Sequence, residues 1–164
     1  MPDQGLFPAC ATVSFAIAFR HQDIERGETE IAKFLAAKPD DVSRERFRRI
    51  IYQEVDAAPV VEALKVHDKI LSTMSDQLER TRWFAGDEFT LADIALLSYI
   101  VRLDHLSLAW MWEDKRAAVG RWLERAKARP GFAGIANYVD PKYLSLMGPR
   151  GREVRDRVAA SLAH

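Results

Sequence analysis

The sequence predicts an all-α fold, and three observations support this prediction. Apolar residues recur three and four positions apart along most of the chain, as at Phe47 and Ile50. Gly and Pro residues interrupt that pattern at intervals, as helix ends require. Thr90 and Asp93 stand three residues apart directly before an apolar run, the spacing of a capping box at a helix start. We therefore predict one helical bundle domain over residues 1–164.

Several helices separated by helix-breaking residues are predicted in the first half of the chain. Pro8 suits the first turn of a helix, and Gly27 marks where that helix stops. Ser43 is placed to cap a later helix, in which Pro59 interrupts or restarts the apolar periodicity. The predicted spans are about 8–25, 28–37, 43–58 and 59–80.

A central helix is predicted to follow the capping box. The Thr90 side chain accepts from the Asp93 amide in this motif, and the Asp93 carboxylate accepts from the Thr90 amide. Phe89 and Ile94 have the spacing of a hydrophobic staple. Residues 91–101 are apolar nearly all round, so we expect this helix to be buried at the centre of the bundle.

The last third of the chain is more polar. Residues 106–112 predict a short loop with one helical turn, and residues 114–128 predict a polar-faced helix that ends before Pro130. Residues 137–149 predict a less regular segment. A final helix is predicted over residues 151–162.

Composition excludes several classes of function. Lys plus Arg equals Asp plus Glu, 24 against 24, so no global field attracts nucleic acid or anionic membrane. The arginine-rich stretch 44–49 is broken by Glu45 and Phe47, which favours a solvated helix face over a phosphate-binding surface. No apolar run reaches membrane-spanning length, and the first residues do not show the basic region followed by an apolar core that is typical of a signal peptide. The single cysteine fits a reducing compartment. We predict a cytoplasmic protein.

Two further stretches carry a family resemblance together with the capping box. The residues concerned are Trp83-Phe84-Ala85-Gly86-Asp87 and Phe89-Thr90-Leu91-Ala92-Asp93-Ile94-Ala95, followed by Tyr99, Arg102-Leu103, 119–125 and 128–132. This pattern resembles the helical C-terminal domain of glutathione transferases. The stretch 8–20 resembles the first helix of that domain in bacterial, β-etherase-like members. The resemblance covers residues 8–136 and implies the bundle fold of that domain.

The sequence also departs from that family. Glutathione transferases begin with a thioredoxin-like domain that activates the glutathione thiol, and these 164 residues contain no β-rich, alternating region in which to place it. We expect the thioredoxin-like domain to be absent and the chain alone to bind no cofactor and to be inactive. Glutathione is the expected cosubstrate only where a thioredoxin-like partner is present.

The resemblance also implies where a substrate binds. In the family, the first helix of this domain and the central helix face the thioredoxin-like half. The positions carried over are Cys10, Ser14, Phe15, Phe19, Tyr99 and Arg102, with Phe7 beside them. These side chains suit a small hydrophobic electrophile.

Structural readings remain open beside these site assignments. Phe15 and Phe19 equally suit core positions, Cys10 suits a small buried hydrophobe, and Arg102 with Asp104 suits a structural pair. No catalytic residue is assigned. No metal site is predicted, because the histidines lack ligand spacing.

Three functions remain open at this stage. The chain is the substrate-binding half of a glutathione-transferase-like enzyme, a non-catalytic binding or assembly module, or a repurposed enzyme that does not use glutathione. Apolar residues between Leu6 and Phe19 occupy more than one helical face. We therefore predict an exposed apolar surface on this helix, covered in a homodimer or by a thioredoxin-like partner.

Overall fold

The structure, a computed structural model, describes residues 3–136 and 140–163. Within those ranges the chain forms helices and no strand, apart from one isolated bridge between Trp83 and Gly86. The all-α prediction is confirmed. The helices are α1 (Asp3–Ser14), α2 (Arg20–Arg26), α3 (Glu28–Ala36), α4 (Asp41–Gln53), α5 (Ala58–Leu78), α6 (Leu91–His105), α7 (Trp110–Glu113), α8 (Ala117–Lys127), α9 (Pro130–Ala136), α10 (Pro141–Glu153) and α11 (Arg155–Leu162).

The helices fall into two compact units. Unit 1 comprises Met1–Val66 together with Glu153–His164, and unit 2 comprises His67–Arg152. Helix α5 begins in unit 1 and ends in unit 2. The assignment of residues 1–164 to one domain stays a prediction.

The first predicted helix is two α-helices joined by a π-helical turn, Phe15–Phe19. Helix α1 begins at Asp3, so Pro8 lies inside it and not in its first turn. In the turn, the Arg20 amide donates to the Phe15 carbonyl, five residues back. The Arg20 side chain then donates through Nε to the Ala16 carbonyl at 3.0 Å. A buried arginine thus bonds a carbonyl within the widened turn.

Arg20 also anchors a charged network in unit 1. Its guanidinium donates to the Ile51 carbonyl at 3.0 Å and forms an ion pair with Glu54. Glu54 has a φ of +56°, in the left-handed region that favours glycine. Arg157 on α11 bonds the second oxygen of Glu54 at 2.5 Å and also pairs with Asp56. These bonds fix the backbone that follows α4 and hold α11 against it.

Helix α4 begins earlier than the sequence predicted. Asp40 is its N-cap, and the Asp40 carboxylate accepts from the Ser43 amide at 2.7 Å. This amide and the Ser43 hydroxyl also lower the pKa of the Asp40 carboxyl. The prediction that Ser43 caps this helix is wrong, because Ser43 donates to the cap residue from the first turn.

The capping box at the start of α6 is confirmed. Thr90 is the N-cap, and its hydroxyl accepts from the Ala92 amide at 3.2 Å. Asp93 is fully buried, and its Oδ2 accepts from the Thr90 amide at 3.0 Å. Its Oδ1 accepts from the Phe84 amide at 2.9 Å and from Trp122 Nε1 at 2.8 Å. One carboxylate therefore connects the preceding loop, the start of α6 and helix α8.

One face of α6 is more exposed than the sequence predicted. Leu96, Ile100 and Leu103 are buried, whereas Leu91 is 81% exposed and Ile94 is 53% exposed. Phe89, which has the spacing of a hydrophobic staple with Ile94, packs edge-to-face on Trp83 with ring centroids 4.9 Å apart. The prediction that α6 is buried on all sides is wrong, because apolar composition does not say how many neighbours a helix has.

Helix α10 replaces much of the irregular segment predicted over 137–149. Residues 137–139 of that prediction lie outside the described ranges, and residues 141–149 are helical. The predicted final helix over 151–162 is divided between α10 and α11. Pro141 occupies the first helical position, where its missing amide costs nothing, while Pro149 lies inside the helix.

Gly151 allows α10 to approach the end of α6. A Cβ atom at Gly151 would lie 1.6 Å from the Leu106 carbonyl oxygen. We expect Gly151→Ala to reduce the free energy of unfolding by about 1–3 kcal/mol, because two backbones must separate. Gly134→Ala is the matched control, since nothing lies within 4 Å of its Cβ position. Urea midpoints for the two variants test this, and equal midpoints would contradict the close approach.

Candidate functional site

The structure places the six predicted site residues in two units. Cys10, Ser14, Phe15 and Phe19 belong to unit 1, on α1 and the π-helical turn. Ser14 is buried, and the other three are half-buried. Tyr99 and Arg102 belong to unit 2, on α6, and both are half-buried. That all six line one pocket stays a prediction.

Phe15 belongs to an aromatic cluster inside unit 1. Its ring stacks on Phe34 with centroids 5.9 Å apart and meets Phe47 edge-on at 5.5 Å. These rings pack against the buried Ile31, Leu35 and Ile51. Lys38 Nζ lies 3.5 Å from the Phe34 centroid, and burial of this amine lowers its pKa while Asp23 opposes the change. Phe15 is thus packed as a core residue, which the sequence had left open as the alternative to a substrate-binding role.

An apolar cleft of about 390 Å³ opens between α1 and α4, and Phe15 forms part of its wall. We use the name apolar cleft for the space lined by Phe7, Pro8, Ala11, Thr12, Phe15, Arg46, Phe47 and Ile50. Phe7 is 66% exposed at this cleft. Small-molecule sites typically combine such apolar walls with few polar groups.

Arg46 is the charged residue of the apolar cleft. Its Nη2 donates to Thr12 Oγ1 at 2.6 Å, and the Thr12 hydroxyl donates to the Pro8 carbonyl at 2.7 Å. These bonds hold the guanidinium beside aromatic walls. A cation in that position complements a hydrophobic molecule with a negatively charged group.

Sequence reasoning missed the α4 side of this cleft. Arg46 and Phe47 lie on the stretch 44–49 that the charge pattern assigned to a solvated helix face, and Ile50 follows it directly. The apolar spacing of Phe47 and Ile50 was visible in the sequence. It did not reveal that α1 and α4 lie side by side.

The α6 candidates have different surroundings. Arg102 donates to Met147 Sδ at 3.1 Å. Asp104 forms its ion pair with Lys127, at 2.9 Å, so the predicted pair of Arg102 with Asp104 is wrong. Residues two apart on a helix do not face each other. Burial lowers the pKa of the neighbouring His105, with Arg102 acting in the same direction.

Neither a metal-binding cluster nor a membrane-spanning helix is present among the described residues. No group of three or more His, Cys, Asp or Glu residues in these ranges is arranged to hold a metal ion. No helix among them is both long and apolar enough to cross a membrane.

Comparison with known families identifies the fold. A family model described as "Glutathione S-transferase, C-terminal domain" matches residues 43–125. The chain belongs to this family. The resemblance seen over residues 8–136 is therefore confirmed across α4 to α8, the part that carries Phe47, Tyr99 and Arg102. Cys10 and Phe15 precede the matched segment.

Curated relatives agree with membership of the glutathione S-transferase family. The chain is 31% identical over 83 residues to "Glutathione S-transferase GstB" of Escherichia coli (strain K12), covering 51% of this chain and 38% of that protein. It is 36% identical over 77 residues to "Glutathione S-transferase F11" of Arabidopsis thaliana, covering 44% of this chain and 35% of that protein. The chain thus matches less than two fifths of each relative. No solved structure gives a significant match.

Proposed function

We propose that this chain forms the hydrophobic-substrate wall of a glutathione-transferase-like enzyme. In this proposal a thioredoxin-like half outside these 164 residues binds and activates glutathione, the cosubstrate, and the helical half binds a small hydrophobic electrophile. The enzyme acts in the cytoplasm. Catalytic residues are assigned to the thioredoxin-like half and none to this chain.

The apolar cleft is the observation that carries this proposal. It has the size and composition of a small-molecule site, and Phe15 is both a cleft residue and one of the predicted substrate contacts. Arg46 adds a preference for ligands whose hydrophobic body carries a negative or electron-rich group.

A homodimer is part of the proposal, but the first helix gives it less support than the sequence predicted. The prediction of an extended exposed apolar surface between Leu6 and Phe19 is wrong. Leu6, Val13 and Ile17 are buried within the single chain, and Phe7 is the large apolar residue left exposed there. A twofold contact through this helix would therefore have to centre on Phe7.

The isolated chain is expected to bind a hydrophobic anion and to leave glutathione unbound. Anilinonaphthalene sulfonate is a suitable probe, because its rings fit the aromatic walls and its sulfonate fits Arg46. Phe47→Ala is expected to weaken probe binding about tenfold, since it removes one wall of the cleft. Fluorescence titration measures the dissociation constants. Calorimetry with glutathione, plus a conjugation assay on an aromatic electrophile, is expected to show neither binding nor turnover.

Val42→Ala is the matched control for this experiment. Val42 lies on the same helix, is 81% exposed and does not line the cleft. Probe binding that survives Phe47→Ala unchanged would contradict the cleft as the site. Micromolar glutathione binding by the chain alone would contradict the assignment of glutathione to the thioredoxin-like half, and would favour an enzyme with a site of its own.

A further inference from the structure

Three arginines form a row along one side of unit 2. Arg121 and Arg125 lie four residues apart on α8, and Arg129 lies in the short connection between α8 and α9. The guanidinium carbons of Arg125 and Arg129 lie 5.6 Å and 5.8 Å from the centroid of the Trp83 ring, so both lie close to the same indole. We call Arg121, Arg125 and Arg129 the arginine row. Arg82, in the loop after α5, adjoins it because its carbonyl accepts from Arg125 at 2.7 Å.

The positive charge of this row is little neutralised. Glu79 pairs with Arg121 at 3.0 Å. Across the described residues, no carboxylate lies within salt-bridge distance of Arg82, Arg125 or Arg129. Arg125 Nε is a buried donor that has no acceptor. Burial lowers the pKa of Arg125, and the charges of Arg82 and Arg121 lower it further.

The row is also held in place before any partner binds. Arg129 lies 4.0 Å above the Phe89 ring, and Phe89 packs on Trp83. Trp83 is buried and bridged to Gly86 by two backbone hydrogen bonds. Little side-chain entropy is therefore left to lose when a ligand binds at Arg129.

The spacing of the charges indicates the ligand. Four residues of α-helix rise about 6 Å, so Arg121 and Arg125 are about that far apart along the axis of α8. Alternate residues of an extended peptide are about 6.6 Å apart and point to the same side. We propose that the arginine row binds an extended segment of a partner protein that carries Asp or Glu at alternate positions.

Nucleic acid also presents regularly spaced anions, but the surroundings favour a peptide. Asp87 and Glu88 are exposed in the loop next to Phe89, and Glu124 lies on α8 between Arg121 and Arg125. A continuous phosphate backbone would meet these carboxylates, whereas a peptide can place neutral or basic residues opposite them. The net formal charge of the chain is also +0, which gives no long-range attraction for nucleic acid.

Fluorescence anisotropy with labelled peptides tests the proposal. The binding peptide alternates glutamate and serine with three glutamates, and the comparison peptide has the same composition with its glutamates contiguous. We expect the alternating peptide to bind more tightly and its binding to weaken as salt is added. In Arg121→Gln/Arg129→Gln its dissociation constant is expected to rise about fivefold to tenfold. Both side chains are exposed, so thermal unfolding should verify that the variant stays folded.

Arg48→Gln/Arg49→Gln is the charge-matched control, because both arginines are exposed on α4 in unit 1. Its dissociation constant for the alternating peptide should equal that of the parent chain. Equal affinity for the two peptides, or unchanged affinity in the Arg121→Gln/Arg129→Gln variant, would overturn the proposal. A single-stranded oligonucleotide with three phosphates that binds more tightly than the peptide would overturn it in favour of nucleic acid.

Discussion

Asp93→Ala is expected to reduce the free energy of unfolding by about 4 kcal/mol, because it leaves three N–H donors in or near the core of unit 2 without an acceptor. Those donors are the amides of Phe84 and Thr90 and the indole Nε1 of Trp122. Trp122 is fully buried, so water cannot replace the lost carboxylate there. Urea unfolding followed by circular dichroism measures the change.

Two milder variants calibrate this expected loss. Thr90→Ala removes the hydroxyl cap and keeps the carboxylate, so its cost is expected to be about 1–2 kcal/mol. Asp93→Asn keeps one acceptor oxygen but turns an NH₂ group toward a donor, and should fall between the other two. If Asp93→Ala reduced the free energy of unfolding no more than Thr90→Ala does, the hydrogen bond from Trp122 would contribute nothing measurable to stability.

Arg20→Met is expected to reduce the free energy of unfolding by about 3–5 kcal/mol. Methionine keeps much of the apolar stem but bonds neither the Ala16 carbonyl of the π-helical turn nor the Ile51 carbonyl. It also leaves Glu54 with one fewer cation in a partly buried position. Arg26→Met is the matched control, because Arg26 is exposed and lies 3.6 Å from Asp23, so its loss should cost under about 0.5 kcal/mol.

The acid dependence of stability distinguishes the charge effect of Arg20→Met from lost packing. Burial raises the pKa of Glu54, but hydrogen bonds from Arg20 and Arg157 outweigh it and leave that pKa below its ordinary value of 4.5. The carboxylate therefore stabilises the fold above pH 4.5, and this contribution is lost as pH falls through the lowered pKa. In Arg20→Met, stability should fall less steeply with acid than in the parent chain. An unchanged acid slope would show that Arg20 acts through packing alone.

Features fixed by neighbouring residues were predictable from the sequence. The capping box at Thr90 and Asp93 depends on residues three apart, and it forms as predicted. Helix α10 was not predictable from local preference, because Gly148 and Pro149 signal an end to the helix. Gly151 instead serves a close contact with Leu106, far away in sequence. Local rules fail where tertiary contact sets the residue type.

The candidate site was predictable only in part. The family resemblance assigned Phe15, but the opposite wall of the apolar cleft is formed by Phe47 and Arg46 of α4. No periodicity indicates which two helices lie side by side. The π-helical turn was not predicted either, because the composition of its five residues is that of an ordinary helical turn.

The division of unit 1 between the two ends of the chain has a consequence for synthesis. Arg157 and the fully buried Val158 belong to the same unit as Glu54, but the ribosome adds all of residues 67–152 before it reaches them. At ordinary rates of translation that interval lasts roughly 5–15 seconds. During this time residues 1–66 lack α11, and the surface that Val158 later covers is accessible to chaperones.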